Sequence, residues 1–318
     1  MESDQEKSFS EAFLTVKSLA NLSALSIQTT KKRISGLFAV GNNAIGLQGS
    51  SVSLARDNTK IITFGNWDDT IRICIQDTEK VIYSIQPVHQ ETTTSCVCIP
   101  DGSGIITGGS KSIITIWNLN NDSKENFFIS LKRQLFGHTD TVLSLDVSLD
   151  FRIFVSGSKD CSAIIWDLDS LNCAFSLDDH VGSVTHVAIS PQNGDIVCFA
   201  SDSICQRNQL SLWSINGHLI ARKNFPNFNN SLVSSILFSP KSVDLVNQWL
   251  FTGMVNGDII IWDAFDLQQV LCLNSPENSP VNGLCFSTDL KILFSGHSNG
   301  KIISWGSSSK KKNKEKNY

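Results

Sequence analysis

The chain has 318 residues, of which 41% are hydrophobic, so it has enough apolar surface for a sizeable core and is not disordered throughout. Its formal net charge is −4, which argues against a dedicated nucleic-acid-binding protein because such domains are usually clearly basic. No apolar run approaches the roughly 18 residues of a membrane span, and the acidic start MESDQEKS lacks the basic region of a secretory signal.

The nine cysteines include no Cys-x-x-Cys pair, and only Cys96 and Cys98 form a Cys-x-Cys pair. An odd, scattered set is poor material for a disulfide framework. We therefore predict reduced thiols that act as small buried hydrophobes in a cytoplasmic protein, without a metal or other cofactor.

Residues 1–30 form a polar N-terminal segment in which apolar side chains recur at the spacing of a short helix. A frayed terminus and a helix that docks onto a partner are the alternatives. Further on, RISGLFAV and NAIGLQG flank Gly41-Asn42-Asn43 and predict a hairpin, with ALSIQ as a separate strand before it. The apolar positions of the helical pattern are Phe9, Ala12, Phe13, Val16, Leu19 and Ala20.

Six similar units follow, and in five of them a short β-branched run ends in tryptophan. The tryptophans are separated by 49, 47, 49 and 43 residues, and an earlier unit has TIRICI in the same place. Each unit contains three short apolar runs separated by polar turns, which is typical of strands. This period is that of a propeller blade rather than of a helical solenoid. The five tryptophans are Trp117, Trp166, Trp213, Trp262 and Trp305.

The third unit contains the residues that would hold a blade together. Gly137-His138 precede its first strand, Asp160 lies in the turn between its second and third strands, and Trp166-Asp167 close the third strand. We predict that His138 and Asp160 form a hydrogen bond and that the Trp166 indole donates to the same buried network. Among the other units, the second and fourth keep a histidine, whereas the fifth and sixth lack one at this position.

These features resemble the WD-repeat family and predict an all-β propeller over residues 31–306, followed by a disordered tail over 307–318. Seven blades are expected if the N-terminal strands complete the last unit and add a blade, which closes the ring and removes its exposed edges. Six blades are the alternative.

Several phrases are similar to the C-terminal propeller of BEACH-domain proteins. They include LFGHTDTV, FVSGSKD, IIWDLDSL, LWSINGHLI and, in the first unit, GNWDDTIRI. The resemblance covers about residues 34–306 and implies a scaffold in vesicle, lysosomal or autophagic membrane traffic. No BEACH module, pleckstrin-like domain or FYVE finger is recognisable, so the chain is expected to be a propeller-only product or a piece of a longer protein. A BEACH module is then an expected partner in cis or in trans.

No pattern in the chain predicts catalysis. The six histidines follow neither a zinc-binding nor a deaminase pattern, and no nucleophile elbow or phosphate-binding loop is present. We predict a non-enzymatic protein without a small-molecule substrate. A WD-repeat adaptor subunit of a ubiquitin ligase or signalling complex is the alternative to the trafficking scaffold.

A partner-binding surface is predicted where the turns between second and third strands meet the segments that enter the first strands. An exposed tryptophan surrounded by polar groups, with an arginine on the same face, has the composition of a binding hot spot. The alternative for Trp67 is burial against the neighbouring blade. A long loop from Asp202 to Asn208 adds surface for recognition. The candidate residues are Trp67, Asp68, Lys111, Lys159, Arg207, Asn256 and Asn299.

The lysine-rich end has a net charge of +4 within residues 310–316, on an otherwise acidic protein. A solubilising disordered end is one interpretation, and nuclear targeting is another. A third interpretation is weak attraction to an anionic membrane, which would bring the protein to the surface of endolysosomal or autophagic membranes. The lysines concerned are Lys310, Lys311, Lys312, Lys314 and Lys316.

Overall fold

A computed structural model describes residues 25–26, 52–54, 60–63, 70–75, 81–85, 92–121, 127–225, 232–241, 248–276, 278–286 and 292–306. Within these ranges the regular structure is entirely β, and the strands form six antiparallel sheets of four strands each. We number the sheets one to six in chain order. In each of the first five sheets, consecutive strands are hydrogen-bonded neighbours.

The first three sheets correspond to the first three sequence units. Sheet one contains β2 (Val52–Leu54), β3 (Lys60–Thr63), β4 (Ile71–Ile75) and β5 (Val81–Ile85). Sheet two contains β6 (Thr93–Cys98), β7 (Gly104–Gly109), β8 (Ile114–Asn121) and β9 (Phe127–Leu135). Sheet three contains β10 (Val142–Ser148), β11 (Ile153–Ser158), β12 (Ala163–Asp167) and β13 (Cys173–Leu177).

The last three sheets follow the same order of strands, except that the sixth takes its outer strand from the N-terminus. Sheet four contains β14 (Ser183–Ile189), β15 (Ile196–Asp202), β16 (Arg207–Trp213) and β17 (Leu219–Phe225). Sheet five contains β18 (Val233–Phe238), β19 (Trp249–Met254), β20 (Ile259–Asp263) and β21 (Gln269–Leu273). Sheet six contains β22 (Val281–Phe286), β23 (Ile292–His297), β24 (Ile302–Gly306) and β1 (Leu25–Ser26).

The predicted all-β propeller fold is confirmed, and its sixth unit is completed by the N-terminal strand. Leu25 pairs with Ser304 and Ser26 with Ile303, so β1 covers the outer edge of β24. The hairpin predicted around Gly41-Asn42-Asn43 and the N-terminal helix lie outside the described residues. The number of blades therefore stays a prediction.

In the described part of the chain, the hydrophobic core forms five clusters, each between two consecutive sheets. Between sheets three and four, for example, Val155 and Ile165 pack with Val184 and Cys198. Every residue of β7 and of β11 is buried, whereas most of the outer strand β13 is exposed. Strands that are buried on both faces have nearly continuous apolar sequences. This explains why the second run of each unit does not alternate between apolar and polar residues as a surface strand does.

Polar side chains of the innermost strands bond to the inner edge of the next sheet. Ser144 Oγ accepts the Val187 backbone N–H at 3.0 Å, and Asp146 Oδ2 accepts that of Ile189 at 2.7 Å. Between sheets five and six, Ser234 Oγ donates to the Val281 carbonyl at 2.8 Å. These bonds satisfy backbone groups that a free strand edge leaves unpaired, and they fix the alignment of consecutive sheets.

In the part of the chain that the structure describes, no helix has the length and apolarity needed to cross a membrane.

Candidate partner-binding face

The third sheet contains a continuous chain of buried hydrogen bonds that begins at the tryptophan. Trp166 Nε1 donates to Ser156 Oγ at 2.8 Å, and Ser156 Oγ lies 2.7 Å from His138 Nε2. His138 Nδ1 lies 3.0 Å from Asp160 Oδ2, which also accepts the Thr139 backbone N–H. Because a carboxylate only accepts, the proton of the neutral ring belongs on Nδ1, and Ser156 then donates to Nε2.

Opposing effects act on the two titratable groups of this chain. Burial lowers the pKa of His138, while the neighbouring Asp160 carboxylate partly offsets that effect. The pKa of Asp160 is also lowered, because hydrogen bonds from Ser162 and Thr139 outweigh the effect of burial. The ring is therefore neutral and the carboxylate ionised at neutral pH, which is the arrangement that the hydrogen-bond directions require.

The bond from tryptophan to a hydroxyl recurs in every sheet from two to six. In sheets two, three, five and six the acceptor lies on the second strand, ten residues before the tryptophan. In sheet four it lies on the third strand, where Trp213 donates to Ser211 at 3.0 Å. The acceptors are Thr107, Ser156, Ser211, Thr252 and Ser295.

Sheet six contains a histidine in its network that sequence reasoning missed. His297 Nε2 lies 3.0 Å from Ser295 Oγ, which also accepts from Trp305. His297 Nδ1 donates to the Ser279 carbonyl at 3.0 Å. The ring comes from the end of β23 rather than from the segment before β22. The spacing Ser-x-His that ends this strand was the available signal.

The aspartate of the Trp-Asp pair has a separate role, because it caps the turn into the fourth strand. Asp167 Oδ1 accepts the Ser170 backbone N–H at 2.6 Å, and Asp263 Oδ1 accepts that of Phe265 at 2.8 Å. Both turns continue to a buried leucine with positive φ, Leu171 at 57° and Leu267 at 57°. The Trp-Asp pair thus places the tryptophan in the core and the aspartate at the surface turn.

The predicted binding surface is formed by the turns between second and third strands, which we call the 2–3 face. It comprises residues 110–113, 159–162, 203–206, 255–258 and 298–301. Turns at this rim are linked to the start of the first strand of the next sheet, because Thr141 Oγ1 donates to the Ser110 carbonyl and Ser183 Oγ donates to the Lys159 carbonyl. Each turn contains one residue in the left-handed region: Ser112 (68°), Cys161 (68°), Gln206 (52°), Gly257 (97°) and Gly300 (81°).

The structure brings together only part of the predicted set of binding residues. Lys111, Lys159 and Arg207 are exposed at the 2–3 face. The exposed side chains of Asn256 and Asn299 bond within their own turns, to Asp258 and to the Lys301 backbone N–H. These two residues shape the turns. The positions Trp67 and Asp68 lie outside the described residues, as does the lysine-rich end.

The loop of sheet four is shorter than predicted but more apolar at its tip. The strands continue through the register pairs Asp202–Arg207 and Ser201–Asn208, so only residues 203–206 connect them. Asn208 is 2% exposed and therefore belongs to the sheet rather than to the binding surface. Cross-strand pairing satisfies backbone groups that a wide loop would leave to water.

Ile204 lies at the tip of this loop and is 92% exposed. Asp202 Oδ1 accepts the backbone N–H groups of Ile204 and Cys205 at 2.9 and 3.1 Å, so the loop is held by its own aspartate. Sequence reasoning missed Ile204 because a single apolar residue in a polar loop carries no periodic signal. An exposed isoleucine on a fixed loop is available to another surface.

Charges of both signs surround this part of the 2–3 face. Burial raises the pKa of the Cys161 thiol, and the nearby carboxylates of Asp160, Asp202 and Asp140 raise it further. This proximity joins the turn of sheet three to the loop of sheet four. Among the residues that the structure describes, no group of three or more histidine, cysteine, aspartate or glutamate side chains is arranged to hold a metal ion.

Comparison with known proteins agrees with this geometry. The family "WD domain, G-beta repeat" matches residues 129–167 and 267–306. The Lysosomal-trafficking regulator of Homo sapiens is 31% identical over 248 residues, which is 77% of this chain and 6% of that protein. BEACH domain-containing protein A2 of Arabidopsis thaliana is 28% identical over 295 residues, or 83% of this chain and 8% of that protein. WD repeat- and FYVE domain-containing protein 4 of Homo sapiens is 24% identical over 255 residues, or 80% of this chain and 8% of that protein.

The chain is a WD-repeat propeller of the BEACH-protein family. This propeller spans only 6% to 8% of the length of these relatives. The matched segment 129–167 contains the complete network of the third sheet, and the segment 267–306 contains that of the sixth. Both matched segments therefore contain a histidine, a hydroxyl and a tryptophan that are joined.

Proposed function

We propose that this propeller is a non-catalytic scaffold that binds a partner protein on its 2–3 face and acts in vesicle, lysosomal or autophagic membrane traffic. The observation that carries the binding site is the loop of sheet four, where the exposed Ile204 lies three residues from the exposed Arg207. An apolar anchor beside an arginine, on a loop fixed to a rigid sheet, is the composition of a binding hot spot.

A scaffold function is also supported by the use of the histidines and carboxylates. His138 and Asp160 bond within the third sheet, and His297 bonds within the sixth. Their hydrogen bonds join strands and turns of the same blade. These groups serve the fold, so a catalytic role for them receives no support.

The test of the binding site is quantitative capture of partners from a cell lysate with the variant Ile204→Ser/Arg207→Glu. We expect the main partner of the wild-type propeller to be lost while the melting temperature is unchanged, because both side chains are exposed. Lys132→Glu is the matched control, since Lys132 is an exposed lysine on the outer strand β9. An identical partner list for wild type and double variant contradicts the proposed face. The double change Trp67→Ala/Arg207→Glu extends the test to the first unit.

The trafficking part of the proposal rests on the family and is tested separately. A BEACH-coding segment in the gene upstream of Met1, or co-purification of the propeller with a separate BEACH module, supports it. A free-standing gene whose product binds only ubiquitin-ligase or signalling subunits favours the alternative, a general WD-repeat adaptor.

The lysine-rich end provides a further part of the proposal, a weak contact with anionic membranes. Each lysine near such a surface contributes about 1 kcal/mol. Co-sedimentation with phosphatidylserine vesicles at low salt is expected to fall when residues 310–318 are removed. Equal sedimentation of the full and shortened chains contradicts the membrane contact.

A further inference from the structure

A cavity of about 380 Å³ lies between the innermost strands of sheets three to six. Its wall is formed by parts of β10, β14, β18 and β22 and contains both polar residues and apolar ones, the latter including Pro191, Phe238 and Leu284. The volume is sufficient for a small ligand or a single large side chain. It is separate from the turns of the 2–3 face.

Among the described residues that line the cavity, one is acidic, Asp146, and none is a lysine or an arginine. Asp146 Oδ1 accepts the Val147 backbone N–H at 2.9 Å, and Oδ2 accepts that of Ile189 at 2.7 Å. Each carboxylate oxygen has two acceptor positions, so each has capacity for one more donor. The carboxylate is therefore fixed in position and still able to bind a ligand.

Asp146 has no ion pair with a described residue, in contrast to three aspartates near the surface. Asp150, Asp169 and Asp179 each pair with a lysine or arginine near the surface. Burial raises the pKa of Asp146 to about 6, with the backbone hydrogen bonds partly offsetting it and no charged side chain contributing. At neutral pH the cavity therefore contains a half-buried negative charge, which a cation would stabilise.

His186 lines the same cavity and does not supply that cation. The residue is 5% exposed, and burial lowers the pKa of its ring to about 4, with the nearby Ser234 backbone only partly opposing this effect. Nδ1 lies 3.0 Å from Thr185 Oγ1, while Nε2 makes no hydrogen bond to a described residue. The ring is neutral at pH 7.

These groups restrict the chemistry of a ligand. An anion is disfavoured by the carboxylate, and a metal ion lacks the three protein ligands that it would need in the described part of the chain. A guanidinium or ammonium group on an apolar stem fits, because the stem matches the apolar part of the wall and the charged end matches Asp146.

We propose that this cavity binds the side chain of one arginine or lysine from a partner segment, with Asp146 as the counter-charge. The proposal goes beyond the scaffold function, because it involves none of the residues of the 2–3 face. It specifies the chemistry of a second partner contact, at the inner edges of the strands. The two proposals can fail independently. The cavity is tested with purified protein and a synthetic peptide, whereas the 2–3 face is tested by capture of partners from a lysate.

The test is a titration of the ¹⁵N-labelled full chain with the peptide acetyl-Gly-Arg-Gly-amide, followed by NMR. The Ile189 backbone N–H is the reporter, because it donates directly to Asp146. We expect a saturable shift of this signal. Binding should weaken by about tenfold or more with the peptide that contains neutral citrulline in place of arginine.

Variants provide the matched controls. Asp146→Asn keeps an acceptor oxygen but removes the charge, and we expect it to weaken binding of the arginine peptide by about tenfold or more. Asp169→Asn removes a surface carboxylate and should bind as the wild type does. If Asp146→Asn does not fold, the comparison of arginine with citrulline on the wild type still decides. Equal binding of both peptides overturns the proposal. So does the absence of a saturable Ile189 shift at peptide concentrations up to about 10 mM, since even weak binding with a Kd of about 1 mM would be nearly saturated there.

Discussion

Sheets three and four are adjacent and share one hydrophobic cluster, yet a different strand in each supplies the hydroxyl that accepts the tryptophan N–H. In sheet three, Ser156 on the second strand pairs with Ile164 on the third. In sheet four the chemistry of the pair is reversed, because Cys198 on the second strand pairs with Ser211 on the third. In both cases the tryptophan N–H reaches the hydroxyl, at 2.8 Å and 3.0 Å.

The histidines of the two sheets have different surroundings. His138 bonds through both ring nitrogens, to Ser156 and to Asp160. His180 has a longer contact of 3.4 Å from Nδ1 to Ser211, and its Nε2 has no hydrogen-bond partner among the described residues. Arg222 lies near this ring and is held by Asp179, so sheet four has a cation near its histidine where sheet three has a carboxylate.

The comparison of sheets three and four distinguishes a hydrogen bond that recurs in the blades from residues that differ between them. A hydroxyl that accepts the buried tryptophan N–H is present in all five tryptophan-bearing sheets, since an unpaired buried donor costs about 1–3 kcal/mol. The strand that supplies the hydroxyl varies. The bond from histidine to aspartate fixes one turn in sheet three, and sheet four holds its loop with Asp202 instead.

The largest expected effect comes from removing the hydroxyl of sheet three. Ser156→Ala leaves both Trp166 Nε1 and His138 Nε2 without a partner, and Ser156 itself is 0% exposed. We expect the free energy of unfolding to fall by about 2–4 kcal/mol, because two buried polar groups lose their hydrogen bond. Ser211→Ala should cost less, since the His180 contact that it removes is longer.

Ser156→Thr is the matched control for this comparison. Thr107 and Thr252 accept the tryptophan N–H in sheets two and five, so a threonine hydroxyl fits the position. Chemical denaturation of the three variants should give the order Ser156→Thr, Ser211→Ala, Ser156→Ala from most to least stable. A Ser156→Ala protein as stable as the threonine variant would mean that the hydroxyl does not stabilise the blade.

The sequence was sufficient to predict the fold because each unit repeats its strands and its tryptophan locally. Trp166, His138 and Asp160 were recognisable from spacing alone. The change of the acceptor hydroxyl from the second strand, at Ser156, to the third strand, at Ser211, was not recognisable, since it depends on which strand faces the indole. Asp146 and Ile204 were missed for a related reason. The role of Asp146 depends on its bond to the next sheet, and that of Ile204 on its exposure at the tip of a loop. Neither can be recognised from the sequence repeat within a single unit.

The second prediction concerns Asp160, the turn aspartate of sheet three that bonds to a histidine. Asp160→Ala removes the acceptor of His138 Nδ1 and of the Thr139 backbone N–H, and we expect a loss of about 1–3 kcal/mol in unfolding free energy. Asp169→Ala removes an exposed ion pair with Arg152 and should cost about 0–1 kcal/mol. Asp289, another turn aspartate, lies outside the described residues. Equal denaturation midpoints for the two variants would contradict the role of Asp160 in the blade.

The third prediction uses pH to distinguish the two histidines. Burial, followed by the charge of Arg222, lowers the pKa of His180 from 6.5 to about 4. The contribution of the neutral ring to stability is therefore present above pH 6.5 and is lost as the pH falls through about 4. In His180→Phe, the unfolding free energy should depend less steeply on pH between about 4 and 6.5. The number of protons taken up on unfolding in this interval should fall by up to one.

Arg222→Gln provides the control, because it should raise the pKa of His180 in an NMR titration by removing the nearby cation. For His138, Asp160 opposes the effect of burial, so its pKa should lie above that of His180 in the same titration. A His180→Phe protein with the same pH dependence as the wild type would show that the folded state accepts the proton normally.

The smallest effect is expected in the loop of sheet four, and it completes the contrast with the turn of sheet three. Asp160 in that turn is tied to the buried network, whereas Ile204 is 92% exposed and its loop is capped by Asp202. We expect Ile204→Ser to change the unfolding free energy by less than about 0.5 kcal/mol, as surface substitutions usually do. Asp202→Ala should cost more, because it removes the acceptor of two backbone N–H groups. Thermal melting of both variants tests this order. A marked loss of stability in Ile204→Ser would mean that the side chain packs against the protein itself, and the loop would then be part of the fold rather than a surface for a partner.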